Sequence, residues 1–143
     1  RVLMLVLLDT DHQSGKTLIS YRYEPAGNLV KGTDGYGHTF EFKYDQHNRL
    51  VSRTDRRNYS FIYEYDGHGR CVHSRGEDGL HEVWLRYLTF ERATVVTKAD
   101  KGEWIYIYDR GGVVTKIIDP YGGVRLFHVD ALGRVAQAWR SSR

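Results

Sequence analysis

Apolar and polar residues alternate with a period of two along most of the chain. Ile19 and Tyr21, Phe40 and Phe42, Phe61 and Tyr63, Val83 and Leu85, and Trp104 and Tyr106 are such pairs. Residues i and i+2 of a strand point to one face, so each run predicts a strand that sends an apolar, largely aromatic stripe toward a shared core. The runs end on a common column: Tyr23-Glu24, Tyr44-Asp45, Tyr65-Asp66, Tyr87-Leu88, Tyr108-Asp109 and Val129-Asp130, with steps of 21, 21, 22, 21 and 21 residues. Self-similarity at a near-constant step is the signature of a repeat array.

Further columns keep the same register. Four residues after the Tyr position stand Gly27, Asn48, Gly69, Glu91, Gly112 and Gly133; one further on, Arg49, Arg70 and Arg134 recur. The spacing predicts a hairpin turn in which Asp45, Asp66, Asp109 or Asp130 accepts backbone N–H groups. The Gly or Asn then takes the left-handed conformation that a type I turn with a bulge requires. The chain returns as a second strand, as in Leu50 to Arg53 or Val113 to Ile118. A second turn cluster, such as Thr33-Asp34-Gly35 or Asp119-Pro120-Tyr121-Gly122, closes the unit. The fourth unit lacks both Asp and Gly at Leu88 and Glu91, and a longer turn is expected there. Asp9 to Lys16 is a polar interruption and reads as a surface loop. The fold expected is all-β: residues 1–143 as one array of about six tandem antiparallel hairpins in a twisted sheet, with an irregular opening over residues 1–17.

Composition agrees. Hydrophobic residues make up 41% and charged residues 27%, which excludes disorder, and fifteen Gly against two Pro suit strands joined by tight turns. The net charge of +3 is dispersed rather than gathered into a phosphate-tracking groove, so no nucleic-acid partner is expected; Arg56-Arg57 falls in a turn. Val2 to Leu8 is too short to span a bilayer and lacks signal-peptide flanks, so a buried first strand is expected. Both termini are Arg without a polar capping segment, and a piece of a longer protein is expected.

Candidate chemistry is thin. His47 and His68 share a turn position, but no carboxylate or thiolate stands at metal-ligand spacing. Ser14-Gly15-Lys16-Thr17 resembles the end of a phosphate loop, yet Thr10 stands where its first Gly belongs and a strand follows. Cys71, alone in the chain, occupies a column filled elsewhere by Leu29 and Leu50, which makes it a small core residue. The recurring Asp and Arg answer a need that every unit shares, with each Arg stem laid over its preceding Tyr. No catalytic residue, metal or cofactor is expected. Aromatics interleaved with Asp and Arg leave sugar binding as an alternative, although Ile105 and Ile107 make both faces of one strand apolar and suit a covered sheet.

The motif Tyr65-Asp66-Gly67-His68-Gly69-Arg70, with Tyr44-Asp45-Gln46-His47-Asn48-Arg49-Leu50 and Asp130-Ala131-Leu132-Gly133-Arg134, resembles the Rhs/YD-repeat family. The resemblance runs from Ser20 onward and looks more like bacterial Rhs cores than the animal members. It implies a segment of a hollow β-shell that encloses a C-terminal toxin domain, as in type VI secretion effectors and insecticidal toxin complexes. Partners would be the rest of the shell and the toxin, with cell-surface glycans as the alternative. The implied setting is secretion or delivery into target cells. Asp119-Pro120-Tyr121-Gly122 echoes an element of the family's self-cleaving site, but it sits at an ordinary turn, and the protease role is not carried over.

Overall fold

Alternating β-branched and aromatic residues, cut by Gly, Asn and Asp at turn spacing, leave the backbone no regular option except strands and hairpins. The computed structural model describes residues 1–8, 15–130 and 134–141, with strand assignment alone for 4–8, 16, 129, 135–137 and 140–141. The described residues contain thirteen strands, and hydrogen-bonded neighbours follow chain order. The expected polar loop falls for the most part outside the described residues; its last two positions, Gly15 and Lys16, already belong to a strand.

The chain divides into two units, residues 1–70 with 75–80, and residues 71–74 with 81–143. The first holds β1 (Val2–Leu8), β2 (Gly15–Tyr23), β3 (Leu29–Asp34), β4 (Thr39–Tyr44), β5 (Leu50–Thr54) and β6 (Ser60–Tyr65). After β7 (Cys71–Gly76), the second holds β8 (Val83–Leu88), β9 (Ala93–Lys98), β10 (Glu103–Tyr108), β11 (Val114–Ile118), β12 (Val124–Val129) and β13 (Val135–Ser141).

Register explains the faces of the first unit. Tyr21 pairs with Gly32, which pairs with Phe40; Phe42 pairs with Arg53, which pairs with Phe61. Partners directly opposite share a face, so these residues form the predicted stripe. Its rings meet edge to face, with centroids 6.4 Å apart for Tyr21–Phe40 and 5.7 Å for Phe40–Phe42. The opposite face is polar. Lys31 and Glu41 form an ion pair at 2.9 Å, and the Thr54 and Ser60 hydroxyls lie 2.9 Å apart. In the second unit both faces carry apolar rows: Leu85, Val96 and Trp104 on one, Val95, Ile105 and Ile118 on the other. This is the two-sided pattern that Ile105 and Ile107 announce.

Two expectations need correction. The stripe does not form a buried core: among the described residues the buried hydrophobic side chains are Ala93 and Val95, and the stripe aromatics are half-buried. The strand at Val2 to Leu8 is present but not buried where its side chains are described, since Val2 is 60% and Leu3 43% exposed. The reason is common to both. Within the first unit the strands follow one another in one sheet, and a sheet face is buried only where another layer packs on it.

Gly32 is the packing exception within the stripe. It is buried, and a Cβ placed there would collide with the Phe40 ring that lies across it. The glycine lets an aromatic ring cover bare backbone, a cross-strand device for filling a sheet. Gly32→Val is expected to displace Phe40 and to cost about 1–3 kcal/mol, the usual range for overpacking. A urea-midpoint comparison with wild type checks this; an unchanged midpoint contradicts it.

Candidate functional site

The residues singled out from the sequence gather at one kind of turn. At Asp45, the backbone N–H groups of His47 and Arg49 donate to Oδ1 at 2.8 and 3.0 Å, and Arg49 Nε donates to Oδ2 at 2.7 Å. Asp66 repeats the arrangement with His68 N and Arg70 N, both at 2.9 Å, and Arg70 Nε at 2.8 Å. Asp109 accepts from Gly111 N and Val113 N, and Asp130 from Arg134 N and Nε. The residue four after Tyr is left-handed: Gly27 at φ 91°, Asn48 at 58°, Gly69 at 80° and Gly112 at 82°. Gly133 lies outside the described residues. Tyr23, Tyr44 and Tyr108 each sit at a register shift where the returning strand carries one extra residue, a β-bulge.

The same Asp-held turn closes three of the other hairpin ends, and the reversals at Gly76 and Lys98 share its backbone bonds without the Asp. Asp34 accepts from Tyr36 N and His38 N, Asp55 from Arg57 N and Tyr59 N, and Asp119 from Tyr121 N and Gly123 N. Gly37, Asn58 and Gly122 take the left-handed position. The structural repeat is therefore a half-unit with one turn type at both ends. The signal was present as Asp-x-x-Gly or Asp-x-x-Asn at 34–37, 55–58 and 119–122. A second turn cluster was expected at these places; that it repeats the geometry of the first was not.

A second recurring contact had no sequence signal beyond the Tyr itself. The hydroxyl of Tyr44 donates to the Leu29 carbonyl at 3.0 Å, Tyr65 to Leu50 at 2.7 Å and Tyr87 to Cys71 at 2.7 Å. Each Tyr thus latches onto the opening residue of the adjacent strand. Burial, and then the charge of Glu24, raises the Tyr44 phenol above its ordinary value, which keeps it a donor. Arg49 couples successive repeats: its guanidinium reaches the Asp66 carbonyl at 3.4 Å and lies 4.9 Å over the Tyr65 ring. The expectation was a stem over the preceding Tyr44 with the guanidinium near the Asp, and the pairing with Asp45 agrees with its second half. The Arg49 Nε bond to Asp45 turns the guanidinium toward the next hairpin.

The fourth unit departs from the repeat differently from what was expected. The turn is not longer; the strand runs one residue past its Tyr. Leu88 extends β8 and pairs with Ala93, the turn shifts to Thr89–Arg92, and Arg92 rather than Glu91 takes φ 48°. With no register shift there, the bulge disappears. An apolar residue that cannot cap a turn is better used as one more strand residue. Cys71 is half-buried, its Sγ 3.4 Å from the His73 carbonyl, and His47 and His68 are exposed on their turns.

Desolvation raises the Asp45 pKa, but the Arg49 N–H, the Arg49 side chain and the His47 N–H outweigh it. They bring the carboxyl from 3.8 to about 2. Asp66 is lowered by the Arg70 N–H first, and Asp55 by the Tyr59 N–H first. These are carboxylates committed to backbone, with donors already filling the oxygens that chemistry would need.

Hairpins closed by Asp-x-x-Gly turns and latched by Tyr define a YD-repeat array. The Teneurin YD-shell family model matches residues 5–138, and the chain belongs to that family. No curated protein sequence matches it. Among solved structures it is similar to a chain of the Photorhabdus luminescens Tc holotoxin pore carrying a mutation in TccC3. The TM-score is 0.56 at 18% identity, over 90% of this chain and 8% of that one. At that identity the likeness concerns the fold, and the chain spans about a twelfth of its neighbour's length.

Asp66→Asn, which keeps an oxygen for the two N–H groups but loses the charge pair with Arg70, is expected to lower the thermal midpoint less than Asp66→Ala, which loses both. Equal midpoints for the two variants would contradict the turn assignment. Because the Asp45 pKa is depressed on folding, its contribution is fully present above about pH 4 and is lost as pH falls toward 2. Denaturant midpoints measured across that window should fall less steeply in Asp45→Asn than in wild type.

Proposed function

We propose that this chain is a non-catalytic wall segment of an Rhs-type shell that encloses a toxin domain C-terminal to it and helps deliver that domain from a secreted polymorphic toxin. On this reading residues 1–143 serve as one array within a longer polypeptide. The partners are the remaining wall and the enclosed toxin, and the destination is a target cell, with type VI secretion as one route.

The single observation that carries the reading is the family match over 5–138, laid on a chain whose recurring Asp, Arg and Tyr are consumed by turns and latches. A wall asks the same structural task of each unit, whereas an active site needs residues that only one unit supplies. The first unit's division into a half-buried aromatic face and a polar face also fits a sheet with contents on one side. Sugar binding is the weaker reading at Trp84 and Trp104, because stacking requires an open ring face. Lys98 lies 4.5 Å over Trp104, and Lys101 lies 4.3 Å over Trp84.

Electron microscopy of the full-length parent is expected to show a closed cavity with this segment in its wall. A parent with no enclosed cavity overturns the proposal.

A further inference from the structure

The aromatic stripe of the first unit opens into a cleft of about 690 Å³ over β4, β5 and β6, within the ~300–1,000 Å³ of ligand-binding clefts. Its floor is Phe40, Phe42, Leu50 and Tyr63, and its rim is Arg53, Arg56 and Arg57 with Asp55. Register places Arg53 on the aromatic face, directly between Phe42 and Phe61. Three guanidinium groups thus edge an apolar floor against one carboxylate. Asp55 Oδ1 is already occupied by the N–H groups of Arg57 and Tyr59, and Arg56 pairs with Asp34 at 3.3 Å. Among the described residues the side chains of Arg53 and Arg57 have no hydrogen-bond or salt-bridge partner, and both residues are exposed.

We infer that this cleft docks an extended polypeptide segment whose apolar side chains are flanked by Asp or Glu. The floor selects apolar side chains, and Arg53 and Arg57, which feel the Asp55 charge but form no ion pair with it, select carboxylates, which guanidinium groups bind in bidentate fashion. A sugar or nucleobase fits worse. Phe40 and Phe42 stand at 76° to one another and offer no flat platform. Tyr63 supplies the floor's one polar side-chain group. The inference concerns this chain's own surface and stands whether or not the parent closes into a shell.

The test uses the full chain and a fluorescent peptide of Leu and Phe flanked by Glu, followed by anisotropy. Two twin peptides, one with Lys for Glu and one with Ser for the apolar residues, serve as competitors beside a heparin oligosaccharide. The Glu peptide is expected to bind, and its Kd to rise about tenfold in Arg53→Gln with Arg57→Gln. Both sites are exposed, and circular dichroism identical to wild type verifies the variant's fold. Neither twin should compete. Equal binding of the Lys twin, an unchanged Kd in the folded variant, or displacement by heparin together with binding of the Ser twin overturns the inference, the last marking a general polyanion site. Self-association of the chain that the double variant abolishes also overturns it, because a second copy would then fill the cleft.

Discussion

One carboxylate oxygen holding two backbone N–H groups is the interaction that recurs through most reversals of this structure and fixes where their strands leave. In Asp34, Asp45, Asp55, Asp66, Asp109 and Asp119, Oδ1 accepts from residues i+2 and i+4. These donors face into a reversal where no strand can reach them, and leaving them unmet would cost more than the bond itself gains. Once they are met, the residue at i+3 must turn left-handed, and Gly or Asn accepts that at little cost. The returning strand then leaves in a defined register. Packing need not choose the hairpin geometry because the turn has already done so.

The other recurring features follow from that register. At Tyr23, Tyr44 and Tyr108 the turn returns the strand with one residue in excess, and the excess becomes a bulge beside the Tyr. At Tyr44, Tyr65 and Tyr87 the phenol lies across to the neighbouring strand and donates to the carbonyl of Leu29, Leu50 or Cys71. Arg49, held by Asp45, extends to the Asp66 carbonyl and the Tyr65 ring and links one repeat to the next. The fourth turn tests the logic. Without both Asp and Gly it slides by one residue, the bulge is lost, and the strand pairing survives, whereas the first turn, with Glu24 but with Gly27, keeps its reversal and its bulge. Stability in such an array rests on nearest-neighbour contacts, so a local substitution of this kind remains local.

This economy bears on function. A side chain that appears in every repeat is occupied by its own turn or its neighbour's strand, and is therefore unavailable for chemistry. What distinguishes one place on the surface from another is the set of residues outside the columns. Arg53, Arg56 and Arg57 beside Phe40 and Phe42 are such a set, as are Lys98 and Arg125 around Trp104. Recognition in a repeat protein resides in these departures, carried on a frame that the columns keep constant.

The all-β class, the hairpin order and the roles of Asp45, Asp66 and Asp109 were legible in the sequence, because each rests on interactions among residues within a few positions of one another. Turn conformation and strand periodicity are local, and local chemistry is written in order along the chain. The latch of Tyr65 on Leu50, the reach of Arg49 to Tyr65 and the ring of Phe40 over Gly32 join residues 8 to 16 positions apart. They depend on the strand registers and on which way each side chain turns. The degree of burial was the least legible. Alternation tells which residues share a face, but only the arrangement of strands shows whether anything covers that face. In the first unit the stripe is left half-exposed, and with it the cleft of arginines and aromatics that no spacing rule could have assembled.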